Sequence, residues 1–137
     1  MSEAKHTLTI SILPKLFTVC KFAADTPVPA WANGGDFVSV SRSDTELSIV
    51  AETDRVPADL PSAILNWRVM KVHGPFDLSV VGVLASLVTP LAHKGISIFT
   101  ISTFDTDYLL VQSNDLKAAA AALRNAGHSI LKTETAS

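Results

Sequence analysis

Alternating hydrophobic and polar positions predict β-strands along much of the chain, since alternate side chains of a strand point to opposite faces. In the first half this pattern covers residues 7–13, 16–22, 37–42 and 46–51. The turn residues Ser43-Asp44-Thr45 between the last two runs predict a β-hairpin. Pro27 and Pro29 exclude a long helix at residues 25–30.

The second half adds helical periodicity to the strand pattern. Residues 67–72 alternate and predict a strand. Between Val80 and Leu91 the aliphatic side chains recur at helical spacing, and we expect Pro90 to kink or end that helix. Two strand-like runs follow, on either side of a polar turn at residues 104–107. An alanine-rich helix and a short strand at residues 128–131 complete the pattern.

The order strand, helix, strand, strand, helix, strand in the second half predicts a ferredoxin-like βαββαβ unit. In such a unit both helices cover one face of a four-stranded antiparallel sheet. We expect the first half to be a trimmed version, with a proline-broken turn where a helix would lie. The prediction is an α+β protein of two units, at residues 1–64 and 65–137, which are similar in architecture and not in sequence.

Composition narrows the possible partners. The 137 residues carry a net charge of −2, and lysine and arginine are scattered without a basic stripe, so we expect no nucleic-acid or membrane partner. No apolar run of signal-peptide type follows the start. The single cysteine, Cys20, cannot form an internal disulfide, which fits a reducing compartment. We therefore predict a soluble cytoplasmic protein.

The sequence shows no catalytic or metal-binding motif. Cys20 has no paired base nearby, and the four histidines lack metal spacing. Asp105 and Asp107 form a D-x-D pair without the further ligands that a metal requires. As turn residues they need no other explanation. We predict no enzyme, no cofactor and no metal site.

Three stretches of the second half resemble the ACT domain family of small-molecule regulatory modules. More closely, they resemble paired-ACT proteins related to the aspartate kinase regulatory region and to the CASTOR arginine sensors. The stretches are VHGPFD at 72–77, LAHKGISI at 91–98 and ISTFDTDYLLV at 101–111. The last is the most specific, because it matches the I-S-T-F-x-x-D pattern of that family.

The resemblance implies a ligand site between neighbouring ACT units, where the loop after the first strand faces the second strand and its turn. The implied ligand-binding residues are Gly74, Pro75, Phe76, Asp77, Leu78, Val81, Gly82, Ile98, Thr103, Phe104 and Asp107. Free N–H groups at the helix start would favour a ligand carboxylate. Asp107 would pair with an ammonium or guanidinium group, and Phe104 would cover an aliphatic side chain.

On this basis we expect a non-catalytic regulatory protein that binds an amino acid. The resemblance also implies a homodimer, and a separate regulated protein as partner, because no catalytic domain shares the chain. The alternative is an oligomerisation or protein-interaction module without a small ligand, whose edge strands would pair with another chain.

Overall fold

A computed structural model describes residues 7–73 and 82–131 of the chain. Within them it contains eight strands and two α-helices, together with 3₁₀ turns at Thr53–Arg55 and Ser113–Asp115. The predicted α+β class is confirmed. In chain order the elements are β1 Thr9–Ile12, β2 Phe17–Phe22, β3 Ser39–Arg42, β4 Leu47–Glu52, β5 Ala63–Val72, α1 Val83–His93, β6 Ile98–Ser102, β7 Asp107–Gln112, α2 Leu116–Asn125 and β8 Ser129–Leu131.

The chain divides into two compact units. One, here called the N-terminal unit, is Lys15–Trp67, and the other, the C-terminal unit, combines the chain up to Pro14 with the chain from Arg68 onward. This division differs from the expected one at residues 64/65, because β1 joins the C-terminal elements. Alternation in a short segment predicts that it forms a strand. Which strand it pairs with depends on the tertiary structure.

The C-terminal unit follows the predicted βαββαβ order over β5, α1, β6, β7, α2 and β8. Strand β6 pairs antiparallel with β7, and β7 pairs with β5. Strand β1 lies between β5 and β8, with Ile10 opposite both Val72 and Ile130. The described sheet therefore has five strands rather than four. Its β1–β8 pair is parallel, which corrects the expectation of a purely antiparallel sheet.

Both helices pack on one face of this sheet, as predicted. The sheet contributes alternate residues to the core, and the helices contribute their apolar sides. The buried members of this cluster are Ile10, Met70, Val72, Leu109 and Val111 from the strands, Leu87 and Leu91 from α1, and Ala119, Ala122 and Leu123 from α2. The small side chains of the alanines let α2 lie close to the sheet. The alanines that favour the helix therefore also form its packing surface.

Pro90 was expected to kink or end α1; the helix continues to His93, so the second of these alternatives is wrong. Proline has no N–H, and the carbonyl of Ser86, four residues earlier, therefore lacks its usual helical donor. The Nε2 of His128 donates to that carbonyl at 3.0 Å. Its Nδ1 accepts from the N–H of Leu8 at 3.1 Å. The imidazole, only 4% exposed, is thus the neutral tautomer with its proton on Nε2.

The N-terminal unit is an antiparallel sheet in the order β3-β4-β2-β5. The hairpin predicted around Ser43-Asp44-Thr45 is confirmed, and the Oγ of Ser43 accepts from the N–H groups of Thr45 and Glu46 at 3.2 Å each. All of Lys15–Trp67 is described and contains no α-helix, as expected for a trimmed unit. Loop residues such as Trp31, Val56 and Leu60 pack on the core instead.

Strand β5 begins four residues earlier than predicted and contains a bulge. Phe17 lies opposite Trp67, whereas Val19 lies opposite Ile64, so β5 has one residue more than β2 over this stretch. Asn66, at φ +72°, is the non-glycine residue with positive φ in the described chain. Asparagine tolerates this conformation better than other side chains, and the alternation of the sequence gives no sign of it.

A buried carboxylate holds the Asn33-Gly34-Gly35 segment. Glu52 is 4% exposed and accepts from the N–H of Asp36 at 2.7 Å. Its other oxygen lies 3.6 Å from the Nε of Arg55. Gly35, at φ +87°, brings its backbone against this carboxylate, so the segment is an ordered turn.

The first prediction concerns the histidine that replaces the helical donor. We expect His128→Asn to lower the free energy of unfolding by about 1–3 kcal/mol, because the carbonyl of Ser86 loses its donor. Pro90→Ala restores an N–H to that carbonyl, so His128→Asn should cost less in the Pro90→Ala background. Urea unfolding of the four proteins of this cycle measures the difference. Equal costs in both backgrounds would show that the histidine does not substitute for the missing donor.

The second prediction concerns Gly35. A Cβ there would lie 2.8 Å from the carboxylate of Glu52, whereas a Cβ on Gly95, also at positive φ, meets open space. Gly95→Ala should cost about 1–2 kcal/mol for backbone strain alone. We expect Gly35→Ala to cost clearly more in urea unfolding, because the carboxylate must also move. Similar losses would contradict the role of Glu52 in fixing this turn.

Candidate functional site

The turn between β6 and β7 is the described half of the expected ligand site. Ser102 and Asp107 lie opposite each other at the end of the hairpin. The N–H of Thr103 donates to the carbonyl of Thr106 at 2.8 Å, and the Oγ1 of Thr103 donates to the same carbonyl at 3.1 Å. These bonds close the turn, so that Phe104 and Asp105 are at its tip.

Phe104 is 82% exposed at this tip. Single exposed hydrophobic residues are common, but a phenyl ring at the tip of a closed turn contributes almost no burial to the fold. Its ring therefore stays available to a ligand or to another chain. The role of Phe104 in covering a ligand stays a prediction.

Asp107 is the first residue of β7 and is half-buried. By strand alternation its side chain is on the same side as Leu109 and Val111, the side that carries the helices. The Oγ of Ser102 donates to its Oδ1 at 2.6 Å, a short bond of the kind that hydroxyls make with carboxylates. The bond orients the carboxylate and does not use Oδ2, which can accept from a cation.

Ile98 shares that face but does not join Asp107. It lies opposite Val111, four residues from Ser102, which corresponds to about 13 Å along a strand. Its side chain packs against the hydrophobic core. Among the described residues, Thr103, Phe104 and Asp107 thus form one group, and Ile98 belongs to the packing of the unit.

Gly82 is the N-cap residue of α1, at φ +89°. Its carbonyl accepts from the N–H of Ser86 at 2.9 Å. The N–H groups of the first turn have no partner within the helix, and no acidic residue lies in that turn. A carboxylate would be favoured there. The other expected residues, Gly74, Pro75, Phe76, Asp77, Leu78 and Val81, lie outside the described residues.

Two serines near these elements were not expected. Ser102 orients Asp107 across the hairpin, and the strand pairing that places it there could have been inferred from the turn. Ser11 of β1 is hydrogen-bonded through its Oγ to the Nε2 of His73, the residue before the expected ligand loop. Sequence reasoning missed this contact because it placed β1 in the other unit.

The described residues offer little for metal or nucleophilic chemistry. No three His, Cys, Asp or Glu side chains in them converge on a metal position. The buried Sγ of Cys20 lies 3.6 Å from the carbonyl of Ile49, and burial raises the pKa of this thiol. Neither described helix is long and apolar enough to cross a membrane.

The sequence profile of the ACT domain matches residues 62–125. This part of the chain belongs to the ACT domain family. A second profile, that of an N-terminal domain, matches residues 15–59, so the two profiles fall on the two parts of the chain.

Among curated relatives, the ACT protein is similar to the cytosolic arginine sensor for mTORC1 subunit 1 of Bos taurus. The two are 32% identical over 80% of this chain. The chain spans 38% of the length of that relative, so the activity and partners of the longer protein do not transfer to it directly.

Solved structures support the same fold. Protein Atu0741 from Agobacterium tumefaciens matches with a TM-score of 0.89 and 42% identity, over 96% of this chain and 98% of that one. The ligand-free regulatory subunit of aspartate kinase from Thermus thermophilus matches with a TM-score of 0.61 and 15% identity, over 85% of this chain and 96% of that one. At that identity the second likeness concerns the fold alone.

The third prediction tests whether Cys20 can act as a nucleophile. Its raised pKa leaves little thiolate near neutral pH, and its burial excludes reagents. We expect a thiol reagent to modify the folded protein far more slowly than the urea-unfolded protein, with the rate in the folded state rising only at alkaline pH. Fast labelling of the folded protein at neutral pH would contradict this assignment.

Proposed function

We propose that this ACT protein is a non-catalytic regulator that binds a free amino acid at an interface between ACT units. The observation that carries the proposal is the carboxylate of Asp107, which Ser102 orients through one oxygen while the other remains able to accept. This residue lies in the hairpin that matches the family pattern best. The similarity to an arginine sensor supports an amino acid as the ligand class.

The chemistry of the two proposed sides is complementary to that of an amino acid. Asp107 would accept from an ammonium or guanidinium group. The first-turn N–H groups of α1, beginning at Gly82, would donate to the carboxylate. Phe104 would lie over the aliphatic part of the ligand.

We propose further that two chains complete the site in a homodimer. The exposure of Phe104 supports this, because an aromatic ring at the tip of a turn is available for burial against a second chain. Binding would change the balance between packing arrangements, which requires different ligand affinity in each. A separate regulated protein would bind one of these arrangements in preference to the other. A cytoplasmic location is consistent with the cytosolic relative.

The same exposed ring favours a second candidate function. Phe104 could be buried by another protein without any small ligand, which would make the chain an interaction module. This candidate needs no cation for Asp107, so its interaction should be insensitive to metabolites. Ligand binding and ligand-independent self-association are therefore the two properties that separate the candidates.

The fourth prediction is a ligand-dependent rise in thermal stability. We expect one or a few of the twenty amino acids to raise the unfolding temperature, since a ligand at 100 times its Kd adds about 2.7 kcal/mol to the free energy of unfolding. Asp107→Asn should abolish the shift. Asp105→Asn, two residues away at the exposed tip, removes the same charge and should preserve it. Calorimetry with the active amino acid gives the Kd for each protein.

Phe104→Ser completes this design. Because the ring is exposed, the variant should unfold at the temperature of the parent protein without ligand and should bind the ligand more weakly. Equal ligand affinity in folded Asp107→Asn would refute the site. A flat panel, together with self-association that Phe104→Ser abolishes, would favour the interaction module.

A further inference from the structure

A groove of about 460 Å³ lies on the N-terminal unit. It is bounded by β2, by the start of β4 and by residues 61–64, where β5 begins. Pockets of about 300–1,000 Å³ are typical of small-molecule sites. Every residue that lines it is described and belongs to this unit, so the groove is independent of the expected ACT site.

Two opposite charges line the groove without neutralising each other. Lys21 lies opposite Ser48, and Glu46 precedes Ser48 by two residues, so that Lys21 and Glu46 are diagonal neighbours with Cβ atoms about 7–8 Å apart. The ion pairs within this fully described unit are Lys15–Asp54 and Glu52–Arg55. Lys21 and Glu46 thus present an ammonium and a carboxylate to the same space.

The backbone around these charges is fixed. The N–H of Lys21 donates to the carbonyl of Ser62 at 3.0 Å, and the N–H of Ser43 donates to the carbonyl of Glu46 at 2.9 Å. The N–H of Glu46 in turn donates to the Oγ of Ser43. Both charged residues are therefore attached to hydrogen-bonded backbone, which lowers the entropy that a ligand must remove.

The other side of the groove is apolar. Val19 lies directly opposite Ile64, and both side chains line the groove. Ile64 is 57% exposed, although it lies in a paired strand. A ligand that covered this β-branched pair would remove apolar surface from water, which is favourable at about 25 cal/mol per Å².

We propose that this groove is a second ligand site, which binds a small zwitterion with a branched aliphatic body. The anionic group of the ligand lies at Lys21, its cationic group at Glu46, and its aliphatic part on Val19 and Ile64. The hydroxyls of Ser48 and Ser62 supply neutral hydrogen bonds at the rim. The class of ligand is an amino acid or dipeptide of leucine type, and the site does not depend on Asp107.

The fifth prediction tests this site with the full chain and defined probes. Methyl NMR spectra should show shifts of the Val19 and Ile64 signals on titration with L-leucine or glycyl-L-leucine. The larger response identifies which of the two sizes the groove prefers. 4-Methylpentanoate lacks the ammonium group and 3-methylbutylamine lacks the carboxylate, so each should bind about tenfold more weakly or worse.

Variants identify the charges. Lys21→Met and Glu46→Gln should each weaken binding of the zwitterion by about tenfold or more. Asp44→Asn and Lys117→Met, which change the same charges at exposed positions outside the groove, should leave it unchanged. The double variant Lys21→Glu with Glu46→Lys exchanges the two charges. It should bind the zwitterion more tightly than either single variant, because the ligand can bind in the reverse direction.

The possible results separate this site from the ACT site. Groove shifts that persist in Asp107→Asn support the proposal even if the ACT site proves wrong. Absence of shifts at Val19 and Ile64 at millimolar zwitterion would overturn it. So would equal binding by the singly charged analogues, or unchanged affinity in both Lys21→Met and Glu46→Gln.

Discussion

The apolar layer between the five-stranded sheet and its two helices is the interaction on which the C-terminal unit depends. The strands supply alternate residues and the helices supply one side each, so that one cluster fixes all of these elements. The position of the β6–β7 hairpin follows from it, because Leu109 and Val111 are held in that layer. Asp107 shares their face and is therefore set at the end of the same rigid strand.

Polar groups in this unit are satisfied by partners far away in the chain. His128 joins the carbonyl of Ser86 and the N–H of Leu8, and so compensates for the donor that Pro90 removes. A buried carbonyl without a donor is costly, and the histidine therefore permits a proline within a packed helix. In the N-terminal unit, Glu52 serves a similar purpose for the backbone around Gly35.

The two proposed ligand sites use different physical means. In the ACT hairpin a hydroxyl holds one oxygen of a carboxylate, and the exposed Phe104 is available to an external surface. In the groove, a lysine and a glutamate without mutual pairing flank an aliphatic pair, of which Ile64 is exposed. Both are suited to molecules with two charged ends, which is consistent with a family of small-molecule regulatory domains. The bovine arginine sensor is 32% identical to this chain and more than twice as long.

The sequence by itself determined most of the local structure and the family. Alternation located the strands, the 3.6-residue period located α1, the alanine-rich composition located α2, and the string ISTFDTDYLLV led to the ACT domain. It also located Phe104 and Asp107 at a turn, because turn chemistry is local.

Only the tertiary structure decided which distant groups meet. Strand β1 pairs with β5 and β8 rather than with the strands nearest in sequence. The backbone groups at the edge of a sheet can pair with any strand of suitable register, whatever its position in the chain. The continuation of α1 past Pro90 depended on His128, and the order at Gly35 depended on Glu52. Ile98 packs against the hydrophobic core and lies about 13 Å along the strand from the residue opposite Asp107. These outcomes depend on contacts between residues far apart in the chain, which hydrophobic periodicity does not record.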